Sequence, residues 1–164
     1  MSKTKKHKVL FVCLGNICRS PAAEGILRDV VARHGDSDNW EIDSAGTGRW
    51  HIGQLPDHRM RNHARRRGFD LTHICRQVTY SDFDRFDLII GMDAANVSDL
   101  RRLAPSVESA RKIVPMKDYF TSTVHYDYVP DPYYEGAEGF ELVLDLLDDA
   151  CENLYNSLTQ SSGK

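Results

Sequence analysis

The run Cys13-Leu14-Gly15-Asn16-Ile17-Cys18-Arg19-Ser20 places five residues between a cysteine and an adjacent arginine and serine. If such a run curls from a strand end onto a helix start, its successive backbone N–H groups point at one spot. The helix dipole adds positive potential there, and the result is an oxyanion cradle. A cysteine at its base is favoured as a thiolate, because amides and a nearby guanidinium stabilise the charged form. Arg19 can grip two oxygens of a phosphoryl group with its planar fork. Ser20 can donate a hydrogen bond to the thiolate. Gly15 and Asn16 tolerate the left-handed backbone that a tight cradle demands. The spacing alone is a weak signal, and the elements on either side decide its meaning. No Gly-Lys-Ser/Thr is present, so this is not a Walker A loop.

Those elements are legible. Val9–Val12 is a continuous apolar run of the kind found in buried parallel strands. After the loop, Ser20-Pro21 predicts a helix start, with Ser20 as N-cap and Pro21 as first helical residue. Apolar pairs at Ala22/Ala23, Ile26/Leu27 and Val30/Val31 form one helical stripe, and Gly35 suits its C-terminal stop. Further strands are predicted at Trp40–Ala45, Leu88–Met92 and Lys112–Pro115. Helices are predicted from Pro56-Asp57 to about Arg67, over Ala94–Leu103, and along the stripe Phe140, Val143/Leu144, Leu147, Leu154. Thr121–Glu135 is irregular and tyrosine-rich, and Ser157–Lys164 is expected to fray. Four short buried strands alternating with helices predict an α/β fold, a single-domain four-stranded parallel sheet with helices on both faces. The domain is expected to span residues 1–164, with a core of about 8–158, and no repeat or linker interrupts it.

Composition narrows the function. The 164 residues carry 21 Lys+Arg and 24 Asp+Glu, a net charge of −3, which excludes a nucleic-acid binder held by bulk positive charge. The four cysteines, Cys13, Cys18, Cys75 and Cys151, include no CxxC pair, so neither a disulfide scaffold nor a structural zinc site is expected. Free thiols suit a reducing compartment. The basic N-terminus precedes an apolar run of only six residues, Val9–Leu14, short of a signal peptide's core and far short of a membrane span. The expected location is the cytoplasm, with unconventional export leaving no trace of this kind.

The motif set closely resembles that of the low-molecular-weight protein tyrosine phosphatases. The resemblance rests on Val9–Pro21 (VLFVCLGNICRSP), Asp43-Ser44-Ala45-Gly46-Thr47, Gly53 to Arg59, His73 with Arg76-Gln77, Met92-Asp93 with Asn96, and Asp131-Pro132-Tyr133. It implies a Rossmann-like sheet and hydrolysis of phosphotyrosine through a phosphocysteine, without metal or cofactor. Cys13 is then the nucleophile and Arg19 the phosphate clamp, with Leu14, Gly15, Asn16, Ile17, Cys18 and Ser20 cradling the phosphate. From the residues alone, Asp131 between Pro130 and Pro132 reads as a turn aspartate; the resemblance makes it the general acid. Trp50, Tyr133 and Tyr134 become cleft walls, with His51 beside them at a variable position. Ser44 and His73 join Asn16 in holding the loop, although His73 alone reads as a surface or satisfied histidine. The implied partner is a phosphotyrosine-containing protein, with a cognate tyrosine kinase beside it and no nucleic acid or membrane. A monomer is expected.

Rival readings exist on the same fold. A thioredoxin-coupled arsenate reductase needs relay cysteines after the third strand, and residues 88–110 contain none. A protein-arginine phosphatase resembles this chain but carries threonine where Ile17 stands. A non-catalytic phosphate-binding module would be expected to lack Cys13, Arg19 or Asp131, and all three are present. Asp93 is expected to support the Asp131 region or to cap the next helix. The basic run Arg59, Arg61, Arg65, Arg66, Arg67 reads as a solvated helix face, and Cys75 and Cys151 as packing residues. Cys18 shares the loop with Cys13, which a curled loop could bring within disulfide reach.

Overall fold

A computed structural model describes residues 6–162. The apolar run of the first strand sits at the centre of the structure because both of its faces are covered. The first strand, β1 (His7–Cys13), pairs in parallel with β2 (Trp40–Gly46) on one side and β3 (Leu88–Gly91) on the other; β4 (Ile113–Pro115) extends the sheet beyond β3. The strand order is β2-β1-β3-β4.

Alternation along β1 divides the core. Val9, Phe11 and Cys13 belong to one apolar layer, while Leu10 and Val12 belong to the other. The first layer is closed by α1 (Arg19–Arg33) and α6 (Ala137–Ser162), with Met60 and Ala64 of α2 (His58–Arg66) at its margin. The second layer holds Phe83 of α3 (Tyr80–Arg85), the neighbouring Phe86, and Val97 and Leu100 of α4 (Ala94–Leu103). The sheet therefore carries helices on both faces, as the alternating pattern predicts. A one-turn helix, α5 (Val107–Ala110), leads into β4. The chain leaves β1 through α1 to one neighbour and returns later to the other. That reversal is the switch point outside whose carboxyl edge open α/β sheets bind ligands.

Several local details differ from expectation. The first helix begins at Arg19, with Cys18 in the N-cap position and no side-chain cap. Ser20 is inside the helix, its hydroxyl turned toward Cys13 instead of the helix end. Gly15 keeps an ordinary backbone, and Asn16 alone among the non-glycine residues described has a left-handed φ, of 57°. The last helix continues through Ser162 where fraying was expected, and Thr159 bonds back to the Tyr155 carbonyl at 2.8 Å. Residues 163 and 164, and the basic residues 1–5, lie outside the described part. Helix α3 went unpredicted because its six residues show too little periodicity; a capping box between Thr79 and Asp82 sets its start. Gly35 closes α1 with φ 65°, as expected.

The long helix α6 locks the first layer. Val143, Leu144, Leu147, Ala150, Cys151 and Leu154 are buried, a stripe three and four residues apart that covers α1. Because Leu147 is fully buried, Leu147→Ala should cost about 2–5 kcal/mol, seen as a lower urea midpoint with unchanged activity per folded molecule.

Candidate active site

The loop that leaves β1 is curled by bonds to its outward-facing carbonyls. Thr47 N donates to the Cys13 carbonyl at 3.0 Å, Gly48 N to Leu14 at 2.8 Å and Asp57 N to Ile17 at 2.8 Å. The Cys75 thiol donates to the Asn16 carbonyl at 2.8 Å. Among the described residues, the N–H groups of Gly15, Asn16, Ile17 and Cys18 meet no protein acceptor. With carbonyls turned out and amides left over, the loop is a nest for an anion, and it opens onto the N-terminus of α1. Gly46 permits the close approach of β2. A Cβ there would sit 2.8 Å from the Leu14 carbonyl oxygen and 3.1 Å from Asn16 N.

Asn16 holds the curl. Its Nδ2 donates to Ser20 Oγ at 2.8 Å and to Ser44 Oγ at 3.1 Å. Its Oδ1 accepts from Arg76 N at 3.0 Å and lies 2.9 Å from His73 Nε2. That uses every hydrogen-bonding position of the amide. Ser44 donates onward to Glu24 at 2.7 Å, and His73 Nδ1 lies 3.1 Å from Glu24 and 3.3 Å from Asp43. Glu24, Asp43 and His73 are also the one group among the described residues whose donor atoms, within 4.8 Å of one another, could share a cation. All three already face other protein groups, so the cluster reads as support for the loop. Sequence inspection passed over Glu24; its only signal is that it lies four residues after Ser20 on the same helix face.

Cys13 ends the central strand with Sγ 3.0 Å from Ser20 Oγ. Arg19 is buried, and its Nη1 donates to Asp93 at 2.6 Å and to the Val129 carbonyl at 3.0 Å. Its Nη2 lies 3.8 Å from the Asp131 carboxylate. Burial works against the guanidinium charge, but Cys13, Asp93 and Asp131 outweigh it and hold its pKa above the ordinary arginine value. Asp131 is half-exposed. One of its oxygens accepts from Tyr133 N at 3.0 Å while the other faces Arg19, so the turn-aspartate and site readings hold together. Asp93 likewise does two things: Oδ1 caps α4 through Asn96 N at 2.8 Å, and Oδ2 grips Arg19. The helix cap is as expected, and its second carboxylate oxygen supports Arg19, which in turn faces Asp131.

These groups share one cleft of about 250 Å³, lined by Cys13, Arg19, Asp131, Trp50, Tyr133 and Tyr134, with Leu14, Gly15, Ile17, Cys18 and His51 completing it. The aromatic walls are open to solvent: Trp50 is 67 % exposed, Tyr133 37 % and Tyr134 93 %. The basic run is not a plain solvated face. Arg59 forms a fork on Asp57 and lies over the Tyr133 ring, 5.2 Å from its centroid; Arg67 bridges Glu141, Asp145 and Asp148 of α6. Long-range partners of this kind leave no mark in local spacing. Cys75 does more than pack, since its thiol holds the loop; burial raises its pKa to about 11. Burial, with Asp57 and then Cys13, pushes the Cys18 thiol far up, so it stays neutral.

The family model for low molecular weight phosphotyrosine protein phosphatase matches residues 8–163. The chain belongs to that family. It is 45 % identical over 151 residues to the low molecular weight protein-tyrosine-phosphatase YfkJ of Bacillus subtilis, covering 92 % of this chain and 94 % of that one. It is 41 % identical over 143 residues to the mouse low molecular weight phosphotyrosine protein phosphatase, covering 87 % and 90 %. The crystal structure of a protein tyrosine phosphatase from Entamoeba histolytica, with Hepes in its active site, superposes with a TM-score of 0.92 at 45 % identity, over 96 % of this chain and 99 % of that one. In this phosphatase the two jobs of Asp93 are separable. Both Asp93→Asn and Asp93→Ala should lower stability, because each removes the charge that faces the buried Arg19 guanidinium, and Asp93→Ala should lose about 1 kcal/mol more than Asp93→Asn because it also removes the helix cap. Both should lower kcat/KM by at least about tenfold by loosening Arg19, checked by paired denaturation and steady-state assays.

Proposed function

We propose that this protein-tyrosine-phosphatase hydrolyses phosphotyrosine in two in-line steps through a phosphocysteine at Cys13. The observation that carries the reading is the convergence of the Cys13 thiol, the Arg19 guanidinium and the Asp131 carboxyl on one aromatic-walled cleft over a nest of free amides. In the first step Cys13 Sγ attacks phosphorus and the bond from phosphorus to the tyrosine oxygen breaks. The departing oxygen takes the proton of Asp131. Phenolate is a poor leaving group, so this protonation lowers the barrier. In the second step the Asp131 carboxylate takes a proton from water as that water attacks phosphorus. The phosphorus–sulfur bond breaks, releasing inorganic phosphate and the Cys13 thiolate, to which Ser20 can donate.

Arg19 and the amides of Leu14, Gly15, Asn16, Ile17 and Cys18 stabilise the equatorial oxygens in both steps. Asn16, Ser44 and His73 keep the loop curled before substrate arrives, so little reorganisation is needed. Trp50, Tyr133 and Tyr134 hold the flat faces of the substrate ring. The side chain of Ile17 offers no hydroxyl for a phosphoramidate nitrogen, which favours an aryl ester. The reading extends to a monomer acting in the cytoplasm on phosphotyrosine proteins made by a tyrosine kinase, in keeping with its four free thiols.

The test of the acid is the dependence of rate on leaving-group pKa. Asp131→Ala should lose about 100-fold or more on phosphotyrosine but much less on aryl phosphates with acidic phenols. The same slope in both proteins would remove Asp131 from the role.

The reading also includes redox control. The Cys13 thiolate attacks hydrogen peroxide, the O–O bond breaks, and the products are the Cys13 sulfenic acid and a hydroxide that solvent protonates to water. Cys18, neutral at rest, passes its proton to the sulfenic hydroxyl as its sulfur attacks Cys13 sulfur, so that the sulfur–oxygen bond breaks, the disulfide forms and water leaves. Wild type should recover activity with dithiothreitol after mild peroxide, while Cys18→Ser should stay inactive. Equal recovery, or a mass spectrum without the intramolecular bridge, assigns Cys18 to packing.

A further inference from the structure

The cleft does not end at its aromatic walls. Leu14 and Trp50 are shared with a neighbouring groove whose other side is Asp99, Arg102 and Leu103 of α4. Arg102 in turn borders a larger cavity of about 820 Å³, set between α4 and the segments around Pro115 and Tyr128. The floor of that cavity is apolar, with Met92, Val97 and Pro115, and its rim carries Arg101, Arg102 and Lys117. Arg102 is engaged within its own helix, pairing with Asp99 and donating to Ser98. Arg101 and Lys117 are exposed and, among the described residues, make no ion pair or side-chain hydrogen bond. The carboxylates facing the same space are Asp93, already held by Arg19, and Asp127 on the far wall. The cavity therefore keeps two unpaired cations, Arg101 and Lys117, against one carboxylate, Asp127, a local positive surplus on a protein whose net charge is −3.

We propose that this groove receives the acidic residues flanking the phosphotyrosine of a protein substrate, with Arg101 and Lys117 as the charge-reading residues. The proposal rests on the phosphotyrosine reading above and adds the sequence context in which that phosphotyrosine lies. Two features carry it: continuity with the cleft through Trp50 and Arg102, and charge complementarity to an acidic chain. The spacing supplies a register. Asp93 touches Arg19 and so marks the phosphate end of α4. Arg101 lies eight residues on, roughly 12 Å along the helix at about 1.5 Å per residue. An extended peptide at about 3.3 Å per residue crosses that distance in about four residues. The acidic side chains that gain most are thus three to five residues from the phosphotyrosine. Exposed charges of this kind steer and orient a partner more than they bind it, so their effect falls on KM and weakens with salt.

The experiment compares three substrates: p-nitrophenyl phosphate, a phosphotyrosine peptide with neutral flanks, and peptides with paired glutamates moved from one to six residues away on either side. Wild type should show kcat/KM about tenfold higher for the best acidic peptide than for the neutral one, through KM, with an optimum three to five residues out. The Arg101→Glu/Lys117→Glu variant should lose that preference while keeping p-nitrophenyl phosphate turnover within about twofold, and salt near 0.5 M should erase it in wild type. Equal rates on acidic and neutral peptides in wild type overturn the proposal and leave the phosphatase reading intact. So does an equal loss on all three substrates in the variant. Failure of wild type to turn over any phosphotyrosine peptide would sink the phosphatase reading itself.

Discussion

The site depends on one inversion of backbone polarity. Between β1 and α1 the carbonyls of Cys13, Leu14, Asn16 and Ile17 bond outward to the surrounding protein, which leaves the loop amides facing the cleft. A loop of this shape collects N–H dipoles at one point and would be repelled by itself in an unbound state. Asn16 is what holds it. Its left-handed backbone makes the reversal, and its amide spends two donors and two acceptor positions on four different neighbours. Those neighbours come from α1, β2 and the 73–76 segment, so the curl is built from tertiary contacts and not from the loop alone.

The second constraint is the buried cation. Arg19 is almost completely removed from solvent, and an unpaired guanidinium there would be costly. Asp93 and the Val129 carbonyl take one of its terminal nitrogens and leave the other facing the cleft, toward Asp131. The charge is thereby compensated on one side and available on the other. The same arrangement ties two distant segments to the nest. Val129 is further fixed through its own N–H to the Met92 carbonyl at 2.8 Å, which sets Asp131 two residues later in the chain.

Around this floor the aromatic walls stand open to solvent. Trp50 and Tyr134 are largely exposed, and Tyr133 is steadied by the Arg59 guanidinium stacked on its ring. Arg59 is anchored in turn by Asp57, whose N–H bonds the loop at Ile17 and whose side chain caps α2. A short path of hydrogen bonds and ring contacts thus joins the floor of the cleft and its aromatic wall.

Much of this was legible in one dimension. The buried strand, the cysteine-to-arginine spacing and the helix that follows are local patterns, because a strand's apolar run and a helix's stripe depend only on neighbours along the chain. The sheet class followed from the alternation of such segments. Local signals failed where the answer lay elsewhere in space. Ser20 has the residue type of an N-cap, yet its hydroxyl is claimed by Cys13 and Asn16. Cys75 looks like core and holds the loop. Arg59 and Arg67 look solvated and find an aromatic ring and three carboxylates. The sequence by itself determined which groups can do chemistry and which elements carry them. Only the tertiary structure decided that Asp93 grips Arg19, that Glu24 joins the support of the loop, that Asp131 faces Arg19, and that Arg101 and Lys117, unpaired among the described residues, border the cavity beyond the cleft. Those facts are distances between residues far apart in the chain, and no local pattern of types encodes a distance across the fold.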